Sequence, residues 1–457
     1  MTANAQPELR IRSLLPARSG RRPWVPMGLV LILALALTVR IVSYLENPRP
    51  FAGGGLAAEQ AEMARNIVDH GRWFFLNPQA YDLIKKRQVE QNKLIDFSQV
   101  DFSRADREAR AVPVVDQMPG VAAVLAGLWW ATGDKTYSLI QWLQILLDTA
   151  MVLLVYWIAI RLTQRPLVAL LAALLYAVWW KAIAYAHMPL LDTWSVFFTI
   201  GCVAAFVWAR ERPTSWRRLA LLGTITGIGI YFRPFVVFLP VALALVATPG
   251  TWRRRLWWMS APTAIALLLL APWTIRNYYE FHRFIPTRTG LGQAVFLGNG
   301  QAKGDKGAQV YVRRQGKDAT YGSPGYDDQL LSSAAHAIAD DPAGYLGAVG
   351  RRFRFLLPAL LILFVWRRWR TAALIPVAAA AAIVIPYTFI GEDRRFYLPM
   401  FFAYFILLAM FADTVWSTAR ASRLLAGWQG VWSLGRSPRI ARSRPQAANP
   451  DGRARPQ

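Results

Sequence analysis

Arginine clusters recur between long apolar runs in this chain. If each run crosses a membrane, the clusters all fall on one side. They are Arg10/Arg12/Arg18/Arg21/Arg22, Arg161/Arg165, Arg210/Arg212/Arg217/Arg218, Arg253/Arg254/Arg255 and Arg367/Arg368/Arg370, and the tail from Arg420 to Arg455 is basic too. Short loops rich in Lys and Arg stay cytoplasmic. The parity therefore predicts a multi-pass protein of the cytoplasmic (inner) membrane with both termini inside. It also decides which polar residues can share an aqueous face.

Composition agrees. The 457 residues are 55% hydrophobic and include 20 Trp, more apolar than a soluble chain of this length. The net charge of +25 sits in the loops between apolar runs. That placement fits orientation and contact with anionic membrane lipids, and no nucleic-acid partner is expected. The single cysteine, Cys202, lies in an apolar run, so neither a disulfide framework nor a cysteine metal site is available. The run from Trp24 to Leu45 follows five arginines but is too long for the roughly 7–15-residue core of a signal peptide. It reads as a retained span.

A helix needs about 20 residues to cross the hydrocarbon core. The predicted spans are 24–45, 137–160, 167–186, 193–209, 219–232, 235–250, 256–275, 354–366, 371–389 and 396–416. The expected fold class is an all-α polytopic membrane protein with about ten transmembrane helices, and two outer loops carrying short interfacial helices. Residues 1–23 form a basic cytoplasmic tail, 24–416 the transmembrane domain with outer loops 46–136 and 276–353, and 417–457 a basic cytoplasmic tail of disordered composition. Leu219 to Gly250 has arginine clusters at both ends, so it crosses an even number of times. It is read as a hairpin with Arg233-Pro234 at a recessed outer apex. Pro119 to Gly133 lies in the interface or re-enters from outside, because a crossing there would invert every later cluster. Gly223 and Gly227 are read as a close helix-packing pair. The Ala80–Val112 stretch looks like an insertion.

The acids fall on one side. Of 27 Asp and Glu, only Glu8, Glu211, Asp413 and Asp451 are placed inside and Asp148 in mid-membrane. Carboxylate chemistry would therefore be extracytoplasmic. Glu59 lies on a short amphipathic helix ending near Gly71, where it would share a face with Met63 while Glu62 and Asp69 point elsewhere. That helix could rest on the membrane surface. Glu59 is either an acid favoured by the helix dipole or a site acid. Asp192 opens a span and is either an N-cap, a site acid, or both. Arg233, Arg276 and Arg395 lie where spans meet the outer surface, against the positive-inside bias. They either snorkel to the interface or hold a lipid phosphate through their bidentate forks. Arg40 is a fourth candidate. Asp148, Gln141 and Gln144 share one helical stripe and read as a polar seam. The four histidines show no metal-ligand spacing, and no metal site is predicted.

These segments, taken in order, resemble the C-type glycosyltransferases of the protein mannosyltransferase and aminoarabinose transferase kind, bacterial members included. The likeness rests on Leu37-Thr38-Val39-Arg40, the Glu59-to-Arg65 segment followed by Gly71, Gln117-Met118-Pro119-Gly120 and Leu191-Asp192. It continues with Phe232-Arg233-Pro234, the run from Pro272 through Arg276 to Tyr278, Phe284-Ile285-Pro286 with Leu297-Gly298-Asn299, and Arg395-Phe396-Tyr397-Leu398-Pro399. It covers roughly residues 30 to 415. Many relatives carry Asp-Glu where this chain has Leu56-Ala57, which leaves Glu59 as the matching acid.

The resemblance implies transfer of a sugar from a polyprenyl-phosphate-linked donor to a glycan, lipid or protein acceptor outside the membrane. The lipid-linked donor is the cofactor-like molecule implied, and dependence on a divalent metal is left open. The mechanism would be inverting single displacement, with Glu59 and Asp192 as the catalytic acids and Arg233, Arg276 and Arg395 as donor-phosphate ligands. The rival from the residues alone is a non-catalytic transporter or lipid flippase.

Overall fold

The computed structural model describes residues 24–47, 55–91, 95–248, 250–301, 304–314, 323–391 and 394–434. The basic stretches 1–23 and 435–457 lie outside the described residues, as do Glu392 and Asp393.

The chain is helical almost throughout. The first helix, α1 (Trp24–Glu46), is followed by α2 (Gly55–His70), β1 (Phe75–Leu76), α3 (Pro78–Gln91), α4 (Ser103–Glu108), β2 (Val112–Pro113) and α5 (Gly120–Thr132). Then come α6 (Ser138–Thr163), α7 (Pro166–Ala177), α8 (Trp180–Ala186), α9 (Leu191–Glu211), α10 (Trp216–Ile230), α11 (Phe238–Ala247) and α12 (Trp252–Phe281). A second run of shorter helices holds α13 (Leu291–Gly298), α14 (Gly304–Arg314), α15 (Pro324–Asp340) and α16 (Pro342–Arg352). The chain continues through α17 (Leu361–Ile390) and α18 (Phe401–Leu434). Among the described residues the only sheet is the two-residue antiparallel pair of β1 with β2.

Six helical segments are long and apolar enough to cross a membrane, or seven if α7 and α8, bent by 55° at their junction, form one broken span. Every sequence-predicted span falls on a helix, although 219–232 and 235–250 fall on helices shorter than a full crossing. Predicted spans 354–366 and 371–389 fall on two helical stretches separated at Arg370, whose φ 27°, ψ −110° is non-helical. α18 runs as helix to Leu434, past the span limit of 416 read from the sequence.

Local chemistry explains several boundaries. Pro166 opens α7, where its fixed φ suits a first turn and its missing N–H is no loss. Gly71 ends α2 at φ +62°, and Arg72 N–H returns to Asn66 O at 3.0 Å, a C-terminal glycine cap. The Gly223/Gly227 pair does allow close packing. A Cβ on Gly223 would lie 2.8 Å from Ile265 Cβ and Pro262 O, and one on Gly227 would lie 2.8 Å from Leu269 Cδ1. α10 and α12 therefore approach as only small residues permit. Where the hairpin is predicted, α10 ends at Ile230 and the chain passes through Phe232-Arg233-Pro234 before α11 begins.

The polar seam is a fully buried knot. Arg40 of α1 donates to Asp148 of α6, to Ala36 O at 2.9 Å and to Ala177 O at 3.0 Å. Tyr176 of α7 donates to the other Asp148 oxygen at 2.7 Å. Gln141 and Gln144 donate to His187 O and Leu190 O, each at 2.8 Å, tying α6 to the turn before α9. Arg40 therefore does not reach the outer surface as a phosphate candidate. Its guanidinium has 0% exposure and a carboxylate partner in mid-bundle.

Candidate functional site

Two expectations about α2 need correction. The helix is not laid on a surface: every residue from Ala57 to Asn66 is buried, against α3 and α5. Glu62 does not point away into water. It is 0% exposed and accepts from Arg65 Nε at 2.8 Å, Arg65 Nη2 at 3.0 Å, Asn66 Nδ2 at 2.7 Å and Asn77 N–H at 3.3 Å. Burial raises the Glu62 carboxyl above its ordinary range, against the lowering effect of these donors.

Arg65 is held on both sides. Its other edge donates to Asp106 Oδ2 at 3.1 Å and Oδ1 at 2.8 Å, and its guanidinium lies 4.4 Å from the Phe102 ring centroid. The two carboxylates raise its already high pKa. Asp106 and Phe102 belong to the apparent insertion, so Arg65 fastens that stretch to the helix carrying Glu59. Sequence reasoning missed this pairing. The only signal was an arginine in a segment that charge parity predicts to lie outside.

The two candidate acids are flanked by one apolar cluster. It contains Ala58 and Ala61 on either side of Glu59, and Leu190 and Trp194 on either side of Asp192. Glu59 is 5% exposed and Asp192 2%. Phe232 joins the same cluster, stacked at 5.0 Å on both Trp194 and Phe198. That stacking fixes the next residue, Arg233, whose Nη2 donates to Asp192 Oδ1 at 2.7 Å in a pair almost closed to solvent. The pair also explains how an arginine is tolerated buried at this turn, since a buried guanidinium needs a carboxylate.

Gly120 in Gln117-Met118-Pro119-Gly120 sits against this turn. Its N–H donates to Tyr231 O at 2.9 Å, and a Cβ there would lie 2.7 Å from that oxygen and 2.9 Å from the Phe232 ring. α5 can dock only because this residue is glycine.

Arg395 belongs to the same region through its neighbour. The Phe396 ring lies 4.7 Å from the Arg233 guanidinium and stacks on Tyr387 at 4.8 Å. Arg276 is placed differently. It donates to Val114 O at 2.8 Å, to Phe74 O at 2.9 Å and to Asn277 Oδ1 at 3.1 Å, and so clamps the loop around β1 and β2. Its neighbour Asn277 holds Ile285 O at 3.0 Å and Thr287 O at 3.2 Å, which accounts for Asn in that motif. The Leu297-Gly298-Asn299 motif has a docking role as well. Arg352, 1% exposed, donates to Gly298 O, to Asn299 Oδ1 at 3.3 Å and to Thr388 O at 3.0 Å.

Among the described residues, no group of three or more His, Cys, Asp or Glu is arranged to hold a metal ion.

The family model for dolichyl-phosphate-mannose-protein mannosyltransferases matches residues 116–275. Undecaprenyl phosphate-alpha-4-amino-4-deoxy-L-arabinose arabinosyl transferases are similar over an alignment of comparable length. The protein from Erwinia tasmaniensis is 26% identical over 164 residues, covering 33% of this chain and 29% of that protein. The one from Edwardsiella ictaluri is 28% identical over 169 residues, with the same coverage of 33% and 29%.

The likeness to C-type membrane glycosyltransferases holds.

The chain thus matches under a third of the length of these curated relatives. The family-matched segment contains Asp192 and Arg233 and stops one residue before Arg276. Glu59 and Arg395 lie outside it. Among solved structures, an Archaeoglobus fulgidus oligosaccharyltransferase superposes with a TM-score of 0.49 at 14% identity, covering 89% of this chain and 51% of that one. ArnT from Cupriavidus metallidurans bound to undecaprenyl phosphate gives 0.37 at 14% identity, covering 86% and 78%.

Proposed function

We propose that this protein transfers a sugar from a polyprenyl-phosphate-linked donor to an acceptor at the extracytoplasmic face of the inner membrane. The observation that carries the reading is the junction of three segments around one buried pair. Asp192 from the start of α9 meets Arg233 from the hairpin apex, and the cluster around them also flanks Glu59. The family-matched segment includes both members of the pair.

In this reading the displacement is single-step and inverting. Glu59 accepts the proton of the attacking hydroxyl, a contribution of roughly 10²–10⁴-fold. If the acceptor is already an anion, Glu59 positions it instead. The transition state carries oxocarbenium character at the sugar, and charge grows on the departing lipid phosphate. Arg395 and Arg276 meet that charge, together with the face of Arg233 not turned to Asp192. Asp192 fixes Arg233 and lines the acceptor side. The acceptor is a glycan, lipid or protein, and the sugar is a hexose or pentose.

The break between α7 and α8, with Asp148 and Tyr176 close by, is a feature that a transporter or flippase would share. One assay separates the two. Purified protein given a polyprenyl-phosphate-linked sugar and a membrane-extract acceptor should release free polyprenyl phosphate in step with acceptor glycosylation. Donor movement without bond cleavage would replace the enzyme by a transporter.

A further inference from the structure

We infer that Lys181 binds the phosphate of a polyprenyl phosphate at the outer edge of the membrane, beside Asp192 and the Arg395–Pro399 segment. The inference rests on the polyprenyl-phosphate reading above and adds a cation that the outer-arginine pattern did not include.

Lys181 is the second residue of α8, just past the break that bends α8 from α7 by 55°. It lies six residues before the turn at His187, roughly 9 Å away along a helix. A lysine in an apolar setting is costly without a counter-charge.

The charge balance around it is uneven. A narrow crevice of about 10 Å³ is lined by Asp148, Tyr176, Lys181, Asp192 and Leu398, among others. Each of its aspartates already has an arginine, Asp148 with Arg40 and Asp192 with Arg233. Lys181 has no carboxylate within ion-pair distance among the described residues. Its Nζ instead lies 5.4 Å from the Trp180 ring centroid and 5.9 Å from that of Phe401. Two arginines balance two aspartates, and the lysine is left as one excess positive charge.

The surroundings favour an amphipathic anion. The crevice has room for about one water, so a phosphate meets Lys181 at its edge rather than inside. At that edge Trp180 is 67% exposed and Val178 47%, an apolar surface for a prenyl chain. Trp179 stacks on Phe401 at 4.7 Å, which anchors the break and holds α8 against the segment that follows Arg395. A phosphate there lies next to Asp192.

The test measures binding of undecaprenyl phosphate to the full-length protein in nanodiscs of zwitterionic lipid, with undecaprenol as the phosphate-free control. Wild type should bind undecaprenyl phosphate and not undecaprenol. Lys181→Met should weaken that binding about tenfold or more, and Lys181→Arg should keep most of it because the charge remains. Equal binding by wild type and Lys181→Met overturns the inference but leaves the polyprenyl-phosphate reading standing. No preference of wild type for undecaprenyl phosphate over undecaprenol overturns both.

A second measurement needs no variant. Amine-reactive labelling of Lys181, read by mass spectrometry, should fall when undecaprenyl phosphate is added. It should not fall with phosphatidylglycerol or inorganic phosphate. Unchanged labelling, no labelling at all, or equal protection by phosphatidylglycerol or inorganic phosphate overturns the inference even if Lys181→Met fails to insert.

Discussion

Arg233 shows how one side chain divides between holding the fold and doing chemistry. Its bond to Asp192 is buried, so Arg233→Met leaves a carboxylate without its partner and should cost about 3–5 kcal/mol, seen as a lower melting temperature. Arg233→Lys keeps the charge and loses the fork. It should retain most of the stability but lower donor affinity if the guanidinium also meets phosphate. Unchanged donor binding in both variants would leave Arg276 and Arg395 as the phosphate ligands. Glu59→Gln should reduce turnover about 10²-fold or more with a melting temperature near wild type, checked by turnover beside a melting curve, whereas Asp192→Asn strips Arg233 of its buried counter-charge and should lower both turnover and melting temperature. Glu62→Gln should act on the fold instead. It weakens the contact to Arg65 inside a closed site, so it should lower stability by about 1–3 kcal/mol.

At the scale of helices, the periodic features were legible in the sequence and the aperiodic ones were not. A two-glycine pair four residues apart marked the α10–α12 contact, and Gly223→Leu should insert a side chain where 2.8 Å remains to Ile265 and Pro262. That overpacking should destabilise the protein by about 1–3 kcal/mol or more, read from its melting temperature in detergent. The stripe of Gln141, Gln144 and Asp148 likewise announced a polar seam, because residues three and four apart share a helix face. The apex at Arg233 followed from charge parity. What escaped were contacts between distant loops. Arg65 and Asp106 are 41 residues apart with no spacing rule to join them. The carbonyls of Phe74 and Val114 that hold Arg276 carry no sequence signature at all, since any residue supplies a carbonyl. The candidate acids were legible as carboxylates of segments that charge parity puts outside, but the burial of both Glu59 and Glu62 was not, because burial is a tertiary property. If Arg65 is the fastener of the 80–112 stretch, Arg65→Met should expose that stretch to proteolysis from the outer side of right-side-out vesicles, with the rest of the chain still protected.

For the whole molecule, orientation is the property on which the proposed chemistry depends. Reporter fusions after Arg165, Arg218, Arg255 and Arg370 should read as cytoplasmic, and fusions near Gln88 and Gly300 as external. An internal signal at Gly300 would turn the proposed site to the wrong side. The Arg40–Asp148 knot bears on how the molecule is made. The arginine leaves the ribosome 108 residues ahead of the aspartate that neutralises it. At about 5–20 residues per second, the first helix waits roughly 5–20 s in or beside the translocon with an unmet charge. During that interval it is a poor lipid-soluble segment and a good client for an insertion chaperone. Nascent chains arrested before residue 148 should therefore remain crosslinked to the insertion machinery, and those arrested well after it should be released into lipid.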